Sequence, residues 1–527
     1  MTDTLRRSSR RQFIKETALA SSAIALGPYF VFGQAQPATL MKRNMGRLGF
    51  EATTLGLGGQ ASLQWTPSDV DPVKIILKAF DLGVNYFDTA NVYDLSQTHY
   101  GAAFRELNLV PGQAGYNERL RRSIFVSSKT FLRYGKGGPP GFGGMGAPKG
   151  ERTFVADEVR RSLSQMFGDG KGSYPQGAYL DQIMIHSVSS MADVDSAFVG
   201  YEKTDAKAED IGVLATLIDF RDGTNLTGLN PKEEKLIRHI GFTGHAASDA
   251  MIEMIHRDTR GVFDAMLVAI NANDRRYFSM QNNVIPVAAA NNLGIIAMKV
   301  FADGVMYGKQ STWTSVPDMV IRKVGSDVVP SRRLVEYALT IPGFHVAIIG
   351  TGHIDDNAAS CQLRQNLAAA QIAPNGLNQT DRREIEKLAG TIKARIPQMG
   401  MGMGKPKGDA PKPAAQAETI AEGMTNYFQE AARPLGAPRN PAAAREAGGG
   451  KQLARLTWQT AYAGDEPIVR YEIMRDGKKT GEVAHKPQVK ATPFSYEDAL
   501  PDAAAHRYRI VTVDAAGRTA QTDEIVL

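Results

Sequence analysis

From residue 41 onward, short apolar runs alternate with longer stretches in which apolar residues recur every three or four positions. The short runs predict buried strands, and stretches such as DPVKIILKAFDLG and SRRLVEYALTIPG predict amphipathic helices. Such alternation is typical of a parallel sheet with helical crossovers. Because the chain offers eight strand–helix units, it predicts an α/β fold of the (β/α)8 TIM-barrel type over residues 41–396. The predicted strands are 53–59, 86–90, 124–130, 179–187, 239–245, 263–271, 295–301 and 345–352.

The pattern changes twice after the last predicted helix. Residues 397–450 are rich in Ala, Gly and Pro and cannot bury enough apolar surface to fold, so they predict a linker. Residues 451–527 alternate apolar and polar positions between Gly, Asp and Pro, which predicts a small all-β sandwich. Because the linker lacks core-forming residues, we expect the sandwich to fold and move independently of the barrel.

The amino terminus has the layout of a targeting signal. A basic region containing Arg10 and Arg11 precedes an apolar stretch at 18–32 and a group of small residues. Its SRRQFIK segment resembles the twin-arginine motif that directs folded proteins across the bacterial inner membrane. Residues 1–38 are therefore predicted to be a signal peptide, and the protein to be periplasmic or secreted. An uncleaved membrane anchor stays as the alternative, although the apolar stretch is short for a span, and no other segment is predicted to cross a membrane.

Composition narrows the chemistry that the chain can carry. Its single cysteine, Cys361, excludes an intramolecular disulfide, a cysteine-ligated iron–sulfur cluster and a zinc site of several thiolates, and no metal site is predicted. Redox chemistry would therefore need an organic cofactor. The formal net charge is +6, but residues 1–40 carry five basic and two acidic residues, so the rest of the chain carries only +3. No nucleic-acid partner is predicted from that charge.

Polar side chains follow the predicted barrel strands where those strands end. Asp88 ends the second strand, Tyr93 follows five residues later, Lys129 ends the third strand and His186 ends the fourth. In a TIM barrel, the carboxyl ends of the strands form the functional face. Each residue alone would more often be structural, but the four together predict a catalytic group.

With these motifs in chain order, residues 41–395 resemble the aldo-keto reductase family. GVNYFDTANVY matches the family's Asp and Tyr, IFVSSKT its Lys, YLDQIMIH its His, and IRHIGFTGH its fifth-strand signature. The resemblance implies an oxidoreductase that transfers hydride between NADP(H) and a small carbonyl or alcohol substrate, with NAD(H) as the alternative cofactor.

Elementary chemistry explains why carbonyl reduction needs these four residue types. Hydride addition leaves negative charge on the carbonyl oxygen, and Tyr93 is the candidate general acid and base that handles the proton. Because a phenol ordinarily titrates near ~10, Lys129 is expected to lower the pKa of Tyr93, with Asp88 as its counter-ion. His186 is expected to orient the substrate oxygen by a hydrogen bond. The resemblance implies the same roles.

The resemblance also implies cofactor contacts at several strand ends. Two departures weaken the contacts to the nicotinamide carboxamide, because Gly244 stands where relatives commonly have Asn and Leu267 where a glutamine would align. Glycines after the eighth strand permit a phosphate to approach the backbone closely. Arg364 and Asn366 are further candidates at the adenosine end. The predicted cofactor-binding residues are Gly59, Gln60, Thr243, Gly244, Asn271, Met298, Lys299, Val300, Gly350, Thr351 and Gly352.

Two function classes stay open from the sequence. The first is an exported oxidoreductase, with insertions at 131–150 and 188–231 shaping its substrate pocket. The second is a non-catalytic binding protein on a degenerate reductase barrel. In that case the C-terminal sandwich, which resembles fibronectin type III modules with Trp458, Tyr471 and Tyr508 as core residues, would dock a partner. The complete set of four catalytic candidates favours the enzyme, whereas the altered carboxamide contacts favour the binding protein.

Overall fold

The computed structural model describes residues 39–138, 153–309, 314–392, 434–448 and 451–527. The predicted signal peptide, most of the Gly-rich insertion and most of the predicted linker lie outside these ranges.

The strands are β1 (Lys42–Asn44), β2 (Glu51–Thr53), β3 (Leu55–Gly58), β4 (Tyr86–Asp88), β5 (Phe125–Thr130), β6 (Tyr134–Lys136), β7 (Leu180–Ile185), β8 (Ile211–Gly212), β9 (Ile237–Gly244), β10 (Phe263–Ala269), β11 (Gly294–Met298), β12 (Phe344–Ile349), β13 (Arg439–Gly448), β14 (Lys451–Gln459), β15 (Ile468–Arg475), β16 (Lys478–Ala484), β17 (Phe494–Ala499), β18 (Arg507–Asp514), β19 (Thr519–Gln521) and β20 (Ile525–Val526). The α-helices are α1 (Pro72–Asp81), α2 (Ser96–Glu106), α3 (Glu118–Arg122), α4 (Val155–Phe167), α5 (Met191–Ala197), α6 (Val213–Asp222), α7 (Ser248–Arg257), α8 (Asp274–Tyr277), α9 (Val284–Ala290), α10 (Ser331–Leu339), α11 (Gln362–Ala369) and α12 (Gln379–Ala389). Short 3-10 turns occupy Gly46–Leu48, Met280–Asn282, Ala302–Tyr307 and Pro317–Met319.

Eight parallel strands close into a barrel in the order β3, β4, β5, β7, β9, β10, β11 and β12. The ring closes because β12 pairs in parallel with β3, with Ala347 opposite Leu55. Each of the eight predicted strands corresponds to one of these strands, so the predicted fold class is confirmed. Every residue of β5 and β7 is buried, as expected for parallel strands that are covered on both faces.

The barrel interior is a packed core rather than a channel. The antiparallel β1–β2 hairpin brings Met45 and Leu48 into the same apolar cluster as Tyr86 and Phe125, whose rings stack 5.3 Å apart. The helices cover the outside, and α1 shows why they form. Asp71 caps its first turn by accepting from Val73 N at 2.9 Å, a cap that typically contributes ~1 kcal/mol. The β1–β2 hairpin therefore closes one end of the barrel, and the other end, at the carboxyl ends of the strands, is left open to a ligand.

The two predicted insertions meet beside the barrel. β6 lies in the first insertion and pairs antiparallel with β8 of the second, with Tyr134 opposite Gly212. The following helix α6 is almost entirely buried. The described part of the first insertion, residues 131–138, therefore contacts the second insertion next to the ends of β5 and β7.

The C-terminal region is a sandwich of two antiparallel sheets, one of β13, β14 and β17, the other of β15, β16, β18, β19 and β20. Trp458, Tyr471 and Tyr508 are fully buried between the sheets, as predicted. β13 lies inside the range predicted as linker, because its Ala-rich segment is held by pairing with β14 rather than by an apolar pattern of its own. The sandwich therefore begins before residue 451.

The loop between β14 and β15 contacts the barrel segment that follows β10. Asn283 and the backbone of Ala463 exchange two hydrogen bonds of 2.9 Å, and the Arg275 guanidinium donates to the Asp465 carbonyl at 2.7 Å. These contacts differ from the expectation of a sandwich that moves independently. None of the helices in the described ranges combines the length and the apolar character that a membrane span requires.

Candidate active site

Asp88 and Lys129 form a buried ion pair at the carboxyl ends of adjacent strands. Lys129 Nζ donates to Asp88 Oδ2 at 2.6 Å and to the Thr89 carbonyl at 2.7 Å. The lysine side chain is 1% exposed and the aspartate side chain 2%. A buried pair of this kind is a weak source of stability, because desolvation offsets most of the attraction. Its position at the barrel mouth therefore points to function.

Tyr93 and His186 lie beside this pair. Lys129 Nζ is 4.9 Å from the centre of the Tyr93 ring, and the Tyr93 and His186 rings meet edge to face with centroids 5.7 Å apart. Phe131 packs on the other side of His186, at 4.1 Å between ring centroids, and is 38% exposed. The structure thus brings the four predicted catalytic residues together at one end of the barrel.

The pKa of Tyr93 is shifted in the direction opposite to the one predicted. Burial raises it well above its ordinary value, and the Asp88 carboxylate raises it further. The Lys129 ammonium does not offset this shift, because it donates to Asp88 and to Thr89 rather than to the phenol. Tyr93 is therefore a protonated phenol at neutral pH.

Burial also dominates the other three groups. It raises the pKa of Asp88 and lowers the pKa of Lys129, while the ion pair opposes both shifts. Burial, with the nearby Lys129 charge, holds the pKa of His186 well below its usual range, so His186 is neutral at neutral pH. Within the described residues, Asp88 Oδ1 and His186 Nδ1 are buried without a hydrogen-bond partner. Unpartnered buried polar atoms are rare and are expected where a ligand binds.

A cleft of about 960 Å³ opens beside Asp88 and Tyr93. It runs along the ends of β11 and β12 and is covered by residues of the 301–324 segment. Of the predicted cofactor-binding residues, those that line it are Gln60, Met298, Lys299, Val300, Gly350 and Gly352.

Comparison with known proteins places this geometry in a family. Residues 54–389 match the model described as the Aldo/keto reductase family. The chain belongs to the aldo/keto reductase family. As a member, it is assigned to the oxidoreductases, and the β1–β2 hairpin and the C-terminal sandwich lie outside the matched range.

Individual relatives are distant from this aldo/keto reductase. An aldo-keto reductase structure from Pseudomonas aeruginosa is 22% identical, covers 63% of this chain and 94% of its own, and gives a TM-score of 0.38. One from Klebsiella pneumoniae, in complex with NADPH, is 14% identical, covers 66% and 96%, and gives 0.40. One from Bombyx mori, in complex with NADP, is 14% identical, covers 67% and 94%, and gives 0.42. A Schizosaccharomyces pombe protein, whose name assigns it to the voltage-gated potassium channel beta subunits, is 29% identical over 155 residues, 26% of this chain and 45% of that relative.

Five predicted cofactor contacts of this aldo/keto reductase do not line the cleft. For Thr243 and Gly244, contacts within the barrel explain why they do not line the cleft. Thr243 Oγ1 accepts from the Ser187 backbone at 2.8 Å, behind the His186 strand. A Cβ at Gly244 would meet Met251 Sδ at 2.3 Å, so a larger residue there would require the Met251 side chain to move. The five are Gly59, Thr243, Gly244, Asn271 and Thr351.

Two backbone donors of the predicted phosphate-binding turn are already in use. Gly352 N and His353 N both donate to Gln362 Oε1, at 2.9 and 3.0 Å. Positive charge in the cleft comes instead from Lys299 and Lys323, which line it. Burial lowers the pKa of Lys299 to about 8. Lys299 Nζ donates to Gln60 Oε1, and the two lysines place positive charge where an anionic ligand would bind.

Residues after Val300 were missed by the sequence analysis, although they cover the cleft. Asp303 has a left-handed backbone with φ of 53° and accepts from Lys309 Nζ at 2.6 Å and Thr314 N at 2.8 Å. Asp303, Tyr307 and Thr314 all line the cleft. The Asp-Gly pair directly after a strand end was the available signal, because that pair is typical of a tight turn.

Proposed function

We propose that this chain is an NADP(H)-dependent oxidoreductase that interconverts a small carbonyl compound and its alcohol, with Tyr93 as the general acid and base. The observation that carries the proposal is the cluster of Asp88, Tyr93, Lys129 and His186 beside a cleft of about 960 Å³.

The residues present fit a nicotinamide dinucleotide. Lys299 and Lys323 provide positive charge for its phosphates, and both line the same cleft as Tyr93. Met298 and Leu267 give the inner end of the cleft an apolar wall suited to a flat ring. Bound there, the dinucleotide supplies or accepts the hydride. NADP(H) is proposed over NAD(H) from the family assignment.

The chain's own residues manage the proton. A substrate oxygen that reaches both the Tyr93 hydroxyl and the neutral His186 ring is oriented by two donors, and Tyr93 gives up its proton to that oxygen. The Lys129 ammonium pairs with Asp88 and so limits the repulsion between that carboxylate and the phenolate that remains. Because the pKa of Tyr93 is raised, the phenol carries its proton at neutral pH, as a general acid for carbonyl reduction must.

The direct test is dinucleotide binding followed by turnover. The purified protein should bind NADP(H) by fluorescence or calorimetry and should reduce a carbonyl compound. Tyr93→Phe removes only the hydroxyl, so turnover should fall about 10³-fold while dinucleotide affinity stays nearly unchanged. Tyr201→Phe is the matched control, because Tyr201 is equally buried but donates to Asp258 at 2.7 Å, away from the cleft. A wild-type protein that binds neither NADP(H) nor NAD(H) would contradict the proposal and would favour the non-catalytic binding protein.

Export by the twin-arginine route is also proposed, and it rests on the SRRQFIK segment alone. Transport of this type reads the arginine pair specifically. Replacing Arg10 and Arg11 with lysine should therefore keep the precursor in the cytoplasm, as measured by cell fractionation. Normal export of the double variant would refute it.

A further inference from the structure

The sandwich meets the barrel through two defined segments. The docking loop, residues 462–466, joins β14 to β15, and the receiver segment, residues 274–283, follows β10 on the side of the barrel that carries the cleft. The loop offers the carbonyl groups of Ala463, Gly464 and Asp465 to side chains of the receiver segment. At the junction, main-chain carbonyl groups of the docking loop therefore accept hydrogen bonds from side chains of the receiver segment.

The side chains that contact the loop are themselves buried. Arg275 is 7% exposed, donates to the Asp465 carbonyl and pairs with Glu466 at 2.7 Å. Ser279 is 1% exposed and donates to the Gly464 carbonyl. Asn283 is 8% exposed and uses both ends of its amide on Ala463. Because such groups are costly to bury without partners, this surface of the barrel is suited to being covered by the loop.

A second contact fixes the orientation of the sandwich. His256 Nε2 donates to the Gln488 carbonyl at 2.6 Å, and Asn291 Nδ2 donates to the Val489 carbonyl at 3.3 Å. These residues belong to the loop between β16 and β17 and to the helices α7 and α9. Two separate attachments restrain rotation as well as separation.

The receiver segment is connected to the cleft in two ways. Just before it, Asn271 donates to the Lys299 carbonyl at 3.4 Å, and Asp274 N, at the start of the segment, donates to the Asn271 carbonyl at 3.0 Å. At its centre, Phe278 packs against the inner apolar cluster that includes Leu267 and Met298, two residues of the cleft wall. The Phe278 carbonyl accepts a hydrogen bond from the Tyr462 hydroxyl of the docking loop.

From these contacts we propose that the C-terminal sandwich is a fixed part of the barrel mouth. In this arrangement the docking loop holds the receiver segment, and through it Lys299 and Met298, in the geometry that binds the dinucleotide. Tyr462, Arg275 and Asn283 are thus positioning residues, since none of them lines the cleft. The part concerning the dinucleotide rests on the proposed function, whereas the docking itself does not.

Two full-length variants test this inference. Tyr462→Phe removes a single hydroxyl, and Asn283→Ala removes both bonds to Ala463; if Asn283→Ala fails to fold, Tyr462→Phe decides alone. Both should speed hydrogen exchange of backbone amides in the receiver segment. Both should raise the KM for NADPH roughly five- to tenfold, with kcat at saturating NADPH unchanged, because only binding geometry is altered.

Asn230→Ala is the control, because Asn230 is fully buried and bonds to the carbonyls of Asp219, Thr224 and Glu234, far along the chain from the junction. It should leave the KM for NADPH unchanged.

The outcomes separate the two claims. Unchanged exchange in the receiver segment of both variants would overturn the docking. Faster exchange with an unchanged KM would overturn the positioning role. If the wild type binds no dinucleotide, the proposed function fails together with the positioning role, and the exchange measurements alone still decide the docking.

Discussion

Two clusters of buried polar groups differ in how completely they are paired. At the junction between barrel and sandwich, Asn283 uses its amide on both sides and Asp274 accepts from Met280 N and Gln281 N at 3.0 and 3.1 Å. At the barrel mouth, Asp88 Oδ1 and His186 Nδ1 have no partner among the described residues. Both clusters are equally removed from water, so burial does not explain the difference.

The unpartnered atoms indicate that the cluster at the barrel mouth is the one that binds a ligand. An unpartnered buried polar atom costs about 1–3 kcal/mol, so a fold retains such atoms where they serve a function. The junction avoids this cost by pairing, as expected of a structural contact. The mouth retains it beside a cleft that Lys299 and Lys323 line. Unpartnered buried atoms also occur elsewhere among the described residues, for example Trp458 Nε1 in the sandwich core, so it is the adjoining cleft that marks those at the mouth as functional.

The largest expected effect comes from breaking the Asp88–Lys129 ion pair at the mouth. Lys129→Met leaves Asp88 buried without its counter-ion, so the free energy of unfolding should fall by about 3–5 kcal/mol. Turnover should fall about 10³-fold, because the phenolate of Tyr93 loses its neighbouring charge. Denaturant unfolding and kcat measure the two effects.

A double variant separates the effect of the ion pair on stability from its effect on turnover. Lys129→Met combined with Asp88→Leu removes both charges, and stability should recover most of its loss while turnover does not, since a buried ion pair stabilises little more than an apolar pair. Recovery of turnover would show that the pair is structural and would erase the distinction between mouth and junction.

The next largest effect is the loss of stability of the sandwich at low pH, which we attribute to His485. Burial lowers the pKa of His485 to about 4, below the ordinary value near 6.5, so the unfolded chain binds a proton more readily than the folded one. Stability should therefore fall as pH drops from 6.5 to about 4, by about 3 kcal/mol from this group. His485→Gln should flatten that dependence in thermal unfolding scans. An unchanged acid sensitivity in the variant would exclude His485 as the cause.

The smallest effect is expected from cutting the chain. Protease cleavage within residues 397–433, part of the predicted linker, should leave the two fragments eluting together in gel filtration, because the junction contacts do not depend on that segment. Turnover should change less than twofold, roughly the limit of a rate assay. Separation of the fragments would mean that the pairing at the junction is too weak to hold the sandwich.

The sequence revealed the parts of the molecule that have a local pattern. The barrel strands are short apolar runs, and the polar residues at the ends of three of them led to Asp88, Lys129 and His186. β13 has no such pattern, because its Ala-rich residues gain their partners from β14. The raised pKa of Tyr93 depends on burial by distant segments, which no motif encodes. The docking loop offers carbonyl groups, and every residue has one, so its contacts leave no sign in the sequence.

The bonds between Asn283 and Ala463 join residues 180 positions apart in the chain. During synthesis, the ribosome adds ~5–20 residues per second, so the receiver segment emerges roughly 10–40 s before its partner loop. The barrel strands can pair during that interval, but the mouth is completed only when the last part of the chain has been made. A nascent chain that is released early would therefore present Arg275, Ser279 and Asn283 to water, and an incomplete product would differ from a finished one on the face where the cofactor cleft lies.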